Sequence, residues 1–176
     1  MSGDKTTVYV DSCVLIAWLQ NENRKPGEME GVSGLVAGVD AGEIILVTSA
    51  LTKTEILECT LTVEAIEMFE RFTHRRSVQI KDVTSRISTL AGEIRSYYQS
   101  LKDSNKTNLP TLSTPDAIHI ATAIYWECEQ FFTFDEIDEH GTSRPKRALI
   151  PLSGMVAEKY PLDICKPTVR QPGLAL

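Results

Sequence analysis

The sequence is poor in histidine, with three in 176 residues, and its four cysteines, Cys13, Cys59, Cys128 and Cys165, are scattered with no C-x-x-C pair. That spacing argues against a structural zinc site and a disulfide framework, so the cysteines are read as buried reduced thiols. No apolar run approaches the roughly 20 residues needed to cross a bilayer. The start, "MSGDKTTVYV", lacks the basic opening and apolar centre of a signal peptide. A cytoplasmic protein with no membrane partner is expected. Neither a G-x-x-x-x-G-K-[ST] loop nor a G-x-G-x-x-G turn is present, which argues against phosphate binding by a glycine cradle. Basic charge is also short: 18 Lys and Arg stand against 24 Asp and Glu, a net charge of -6. A broad basic face for nucleic acid is thereby disfavoured. Two local clusters remain, "HRR" at 74–76 and "RPKR" at 144–147. Each reads first as a solvated face, with phosphate binding as the alternative.

What is present is a core and an alternating pattern. Hydrophobic residues make up 42% of the chain, enough for one domain of ordinary size over residues 1–176. "TVYVD" reads as a buried strand closing at Asp11, followed by a helix "SCVLIAWLQNE" capped by Ser12. A polar loop, "NENRKPGEMEG", leads to a helix that ends near Gly42 and to a second strand, "IILVTSA". Ser49 is placed to cap the long stretch after it, which reads as one helix or two with a break at "LTVEA". A third strand, "SVQIKDV", precedes the amphipathic segment "TSRISTLAGEIRSYYQSLK". "TPDAIHIATAIYWEC" opens with Thr114 as N-cap, Pro115 at the first helical position and Asp116 in the first turn. "EQFFTFD" is the fourth strand, ending at Asp135, and "ALIPL" is a candidate fifth. Strands alternating with helices predict an α/β fold with a mostly parallel sheet of about five strands. A loose C-terminal tail is expected over 163–176.

Ligands of open parallel sheets bind outside the carboxyl ends of the strands. Asp11 and Asp135 fall at such ends. Glu55 lies early in the helix after the second strand, and Asp116 opens the helix that feeds the fourth. Each has an ordinary reading: a strand-end turn for Asp11 and Asp135, a solvated helix residue for Glu55, a helix-dipole partner for Asp116. Together they predict a convergent set of carboxylates, whose mutual repulsion calls for a hard divalent cation such as Mg²⁺ or Mn²⁺. Such a site activates water against phosphodiesters without a His, Cys or Lys nucleophile. His119, one helical turn after Asp116, is expected to be a packed helix residue.

"VYVDSCVLIAWL", "VTSALTKTEILE", "TPDAIHIATA" and "FFTFDEID", in this order between about Val8 and Asp138, resemble the four signature segments of the PIN-domain family, and most nearly its toxin-type (VapC-like) endoribonucleases. The resemblance implies a three-layer α/β/α PIN-like domain. It assigns metal-binding and catalytic roles to Asp11, Glu55, Asp116 and Asp135, with Asp138 as a further acidic ligand. Ser12 and Thr133 follow as supporting hydroxyls. It further implies an Mg²⁺- or Mn²⁺-dependent endoribonuclease leaving 5′-phosphate and 3′-hydroxyl ends, a homodimer, and inhibition by a cognate antitoxin protein. The chain departs from that pattern in the 103–112 loop and in the stretch after "ALIPL". The alternatives are a non-catalytic PIN-like module that binds RNA or protein, and an unrelated phosphatase-like enzyme with Asp11 as nucleophile.

Overall fold

The computed structural model describes residues 5–104, 106, 109–136 and 147–168. A six-stranded sheet runs through it in the order β3-β2-β1-β4-β6-β5. Its strands are β1 (Thr6–Val10), β2 (Ile44–Ser49), β3 (Val78–Lys81), β4 (Gln130–Phe132), β5 (Gly154–Val156) and β6 (Tyr160–Cys165). All pairings are parallel except the β5–β6 hairpin. β1 is the middle of the sheet's parallel part, with Val8 opposite both Leu46 and Gln130. Burial on both faces explains why it reads as a nearly continuous apolar run.

Six helices cover the two faces: α1 (Ser12–Gln20), α2 (Glu28–Ala41), α3 (Ala50–Glu58), α4 (Val63–Thr73), α5 (Ser85–Asp103) and α6 (Thr114–Tyr125). Alternation along β1 sends Val8 and Val10 into the core under α1 to α4, beside Leu46, Ile56 and Phe72. Tyr9 enters the opposite core under α5 and α6, beside Val47, Ile94, Ile120 and Phe131. The result is the expected α/β/α sandwich, with one strand more than the sequence suggests.

Several boundaries move by identifiable causes. Asp11, not Ser12, is the N-cap of α1: it keeps extended dihedrals and its Oδ1 accepts from the Ser12 amide. Ser113, not Thr114, caps α6, its hydroxyl accepting from the Asp116 amide at 3.1 Å. The break before α4 is real, with Thr62 capping through the Ala65 amide. α2 begins inside the segment read as a polar loop; its first turn carries Glu28 and Glu30, acids that favour a helix N-terminus. Gly42, at φ 73°, closes it in the left-handed conformation of a helix C-terminus. "ALIPL" does not form a strand; Ile150–Leu152 is a 3-10 turn, and the strand that follows it is β5. Asp163, Ile164 and Cys165, at the head of the expected tail, lie in β6 and pair with β4.

Candidate functional site

Asp11, Glu55 and Asp135 follow the carboxyl ends of β1, β2 and β4 in the chain, and Asp116 opens α6. Asp11 directly follows β1, and its amide donates to the Phe132 carbonyl of β4 at 3.0 Å. Its carboxylate is 7% exposed, a burial that costs several kcal/mol unless donors compensate (order of magnitude). The donors are present. Oδ1 accepts from the Ser12 amide at 2.8 Å, and Oδ2 accepts from the Thr133 hydroxyl at 2.7 Å and the Cys13 thiol at 3.1 Å. The N-terminus of α1 adds its dipole. Burial, reinforced by the charge of Asp11, pushes the Cys13 thiol well above its ordinary pKa, so it remains a donor.

Asp135 lies three residues beyond the end of β4 rather than on it. Its amide donates to the Thr133 hydroxyl at 3.0 Å, and its carbonyl accepts from Leu149 and Ile150. Thr133, fully buried, thus joins the two strand-end acids. Asp116 sits at the third residue of α6 and is 8% exposed; the Ser113 hydroxyl donates to its Oδ2 at 2.5 Å. Ser12 is buried beside Asp11. Asp138 lies outside the described residues.

Glu55 reaches the site through a residue that the sequence reading assigns only to packing. His119 Nε2 is 2.8 Å from Glu55 Oε2 and 3.9 Å from Asp11 Oδ1, and its Nδ1 is 2.6 Å from the Tyr9 hydroxyl. Burial alone lowers the pKa of this imidazole. The Glu55 hydrogen bond and the charges of Asp11, Glu55 and Asp116 outweigh burial and raise it above its ordinary value. Two signals pointed to these partners. His119 interrupts the apolar "AIHIATA" one turn from Asp116, and Tyr9 stands two residues before Asp11, on the same face of β1. Burial, more than any neighbour, raises the Tyr9 phenol and keeps it neutral.

One arginine of each basic cluster is engaged in structure. Arg75 pairs with Asp40 at 2.6 Å and covers the Phe72 ring. Arg147 is buried, donating to the Pro110 carbonyl at 2.7 Å over the Tyr98 ring. Beside Asp135, a different set of ions stands at the rim: Lys25 and Lys166 both pair with Glu136, and Lys166 also pairs with Glu28.

Carboxylates and hydroxyls are the donors a hard cation prefers. The buried His119 imidazole lies 2.8 Å from Glu55 and 3.9 Å from Asp11, so carboxylates of two elements meet there. The donor chemistry therefore fits a hard divalent cation. Among the described residues, no group of three or more His, Cys, Asp or Glu side chains stands at ligating spacing. No described helix is long and apolar enough to cross a membrane.

The PIN domain family model matches residues 8–138. Among solved structures, the chain is similar to one in the crystal structure of VapBC2 from Rickettsia felis bound to a DNA fragment from their promoter. The two share 11% identity at a TM-score of 0.53, over 73% of this chain and 87% of that one. It also matches a chain of a toxin-antitoxin complex from Klebsiella pneumoniae, with 18% identity, a TM-score of 0.47, and 80% and 98% of the two chains covered. No curated protein matches. With the family model covering most of the sequence, including Asp11, Glu55, Asp116 and Asp135, the chain belongs to the PIN-domain family.

Proposed function

We propose that this protein is a metal-dependent endoribonuclease that hydrolyses RNA phosphodiesters at the acidic cluster, and that it is the toxin of a toxin–antitoxin pair. The observation that carries the reading is the junction of Asp11, Glu55 and His119, with Asp11 joined to Asp135 through Thr133. In this reading Asp11, Asp116 and Asp135 hold Mg²⁺ or Mn²⁺, with Glu55 and Asp138 completing the acidic set. The cation supplies an activated water and neutralises charge developing on the phosphate.

The chain's own residues do the rest. The Ser12 amide and the Thr133 hydroxyl fix both oxygens of Asp11, so the carboxylate enters the site in one orientation. Glu55 orients the attacking water and takes up its proton. Lys25 and Lys166, which pair with Glu136 next to Asp135, are the cations this reading assigns to substrate phosphates. A cytoplasmic homodimer and an antitoxin partner belong to the same reading, supported by the family and by the VapBC2-like fold.

That no three His, Cys, Asp or Glu side chains stand at ligating spacing among the described residues favours a second reading, a non-catalytic PIN-like module that binds RNA or protein. Labelled single-stranded and structured RNAs, incubated with Mg²⁺, Mn²⁺ or EDTA, separate the two. Cleavage that needs metal and vanishes in Asp11→Asn is the expected result. RNA binding without cleavage in any metal would establish the second reading instead.

A further inference from the structure

We infer that His119 is a positioning residue: backed by Tyr9, it holds the Glu55 carboxylate on the acidic cluster through a buried chain that runs from β1 through α6 to α3. The inference rests on the proposal that the cluster binds a divalent cation.

A glutamate on a short helix has three rotatable side-chain bonds and loses entropy when it is held in one place. Glu55 has a partly exposed side chain on the nine-residue α3. A restriction comes from across the site. His119 Nε2 meets Oε2 at 2.8 Å, joining residues 64 positions apart in sequence.

The imidazole is itself held at both nitrogens. Nδ1 is 2.6 Å from the Tyr9 hydroxyl, and the ring is 1% exposed. Tyr9 is fully buried and stacks on Phe131, with centroids 4.9 Å apart and planes 15° from parallel. The hydroxyls of Thr48 and Thr52, 2.7 Å from one another, and of Ser49 lie around the phenol. Thr48 is anchored in turn on the Val10 carbonyl. With Nδ1 at the Tyr9 hydroxyl, the Nε2–H donates to Glu55 both in the neutral tautomer, to which the phenol donates, and in the imidazolium, which donates to the phenol oxygen. Nε2 also lies 3.9 Å from Asp11 Oδ1, between acids carried by different elements.

A histidine that served only to fill the core would need partners for its nitrogens, but backbone carbonyls would suffice. Here both partners are side chains, and one is an acid of the site. Outer partners of metal-binding carboxylates set their orientation, and their loss costs about 10–100-fold in metal affinity.

The test is Mn²⁺ binding to the full-length chain, followed by electron paramagnetic resonance, with thermal melting of every variant alongside. His119→Ala is expected to weaken Mn²⁺ binding about ten-fold or more. His119→Gln, which returns an amide N–H near the Nε2 position, restores most of the affinity. His119→Asn, whose amide falls near Nδ1, does not. In a Glu55→Gln background the His119→Ala change has no further effect, because the group it positions is gone. Equal Mn²⁺ affinity in the wild type and His119→Ala overturns the inference, as does the same added loss in the Glu55→Gln background. If His119→Ala does not fold, equal affinities in folded His119→Gln and His119→Asn overturn it. A wild-type chain that binds no Mn²⁺ sinks the metal reading itself and the positioning role with it, whereas a wild type that binds and an indifferent His119→Ala sink only the latter.

Discussion

The Thr133 hydroxyl donates to Asp11 Oδ2 at 2.7 Å and accepts from the Asp135 amide at 3.0 Å, so one buried side chain sets the spacing of two strand-end acids. Thr133→Val keeps the shape and removes both bonds. It takes from Asp11 Oδ2 one of its two donors, leaving the Cys13 thiol, and removes an acceptor from the Asp135 amide, at a cost of about 1–3 kcal/mol. Thr133→Ser should recover the loss, and denaturant unfolding of the pair measures it. Equal midpoints for the wild type and the valine variant would count against this role of the hydroxyl.

Metal should stabilise the folded chain by mass action. At ten times the dissociation constant the gain is about 1.4 kcal/mol, a rise of a few degrees in Tm. The rise should disappear with EDTA and in Asp11→Asn. An identical shift in Asp11→Asn would place the ion elsewhere.

Glu136 gives a pH signature. Hydrogen bonds from Lys166 and Lys25 pull its carboxyl from an ordinary value of 4.5 down to about 2. A depressed folded pKa means that the ionised form favours the folded state. The stabilisation is present above about pH 4.5 and is lost as pH falls towards 2. The Tm difference between the wild type and Glu136→Gln should therefore be level near neutrality and shrink across that acidic window. Because the side chain is 39% exposed, molar salt should reduce the difference throughout. A difference that grows on acidification would contradict the assignment.

Two glycine replacements should have opposite signs. In α2, a Cβ on Gly31 would lie 2.1 Å from the Pro167 carbonyl oxygen, in the backbone that follows β6. Overpacking of this kind costs about 1–3 kcal/mol, more than the roughly 1 kcal/mol that alanine gains over glycine in a helix. In α5, a Cβ on Gly92 meets nothing within 4 Å, so only the helix gain remains. Gly31→Ala should lower Tm and Gly92→Ala should raise it. A stabilised Gly31→Ala would mean that 167–168 shifts away freely.

Much of this was legible in the residues. β1, β2 and β4 are short apolar runs that closely spaced turn signals make recognisable, and the acids at or just beyond their ends follow from the geometry of a parallel sheet. The β5–β6 hairpin is not legible, because Gly154–Val156 is too short to show a period and its register depends on β4 being in place. Sequence does not separate Ser113 from Thr114, which is chemically just as able to cap; the path of the chain into α6 chooses between them.

By itself the sequence determined the local chemistry: which segments are apolar enough to pair as buried strands, where helices begin, and which acids fall near the strand ends. Those are properties of neighbouring residues, and period and capping express them. Only the tertiary structure decided that His119 meets Glu55, that Tyr9 meets His119, and that Lys166 meets Glu28 and Glu136. These contacts join residues far apart in the chain. No local pattern encodes them, because they exist only once both faces of the sheet are covered and the side chains left between them must satisfy one another.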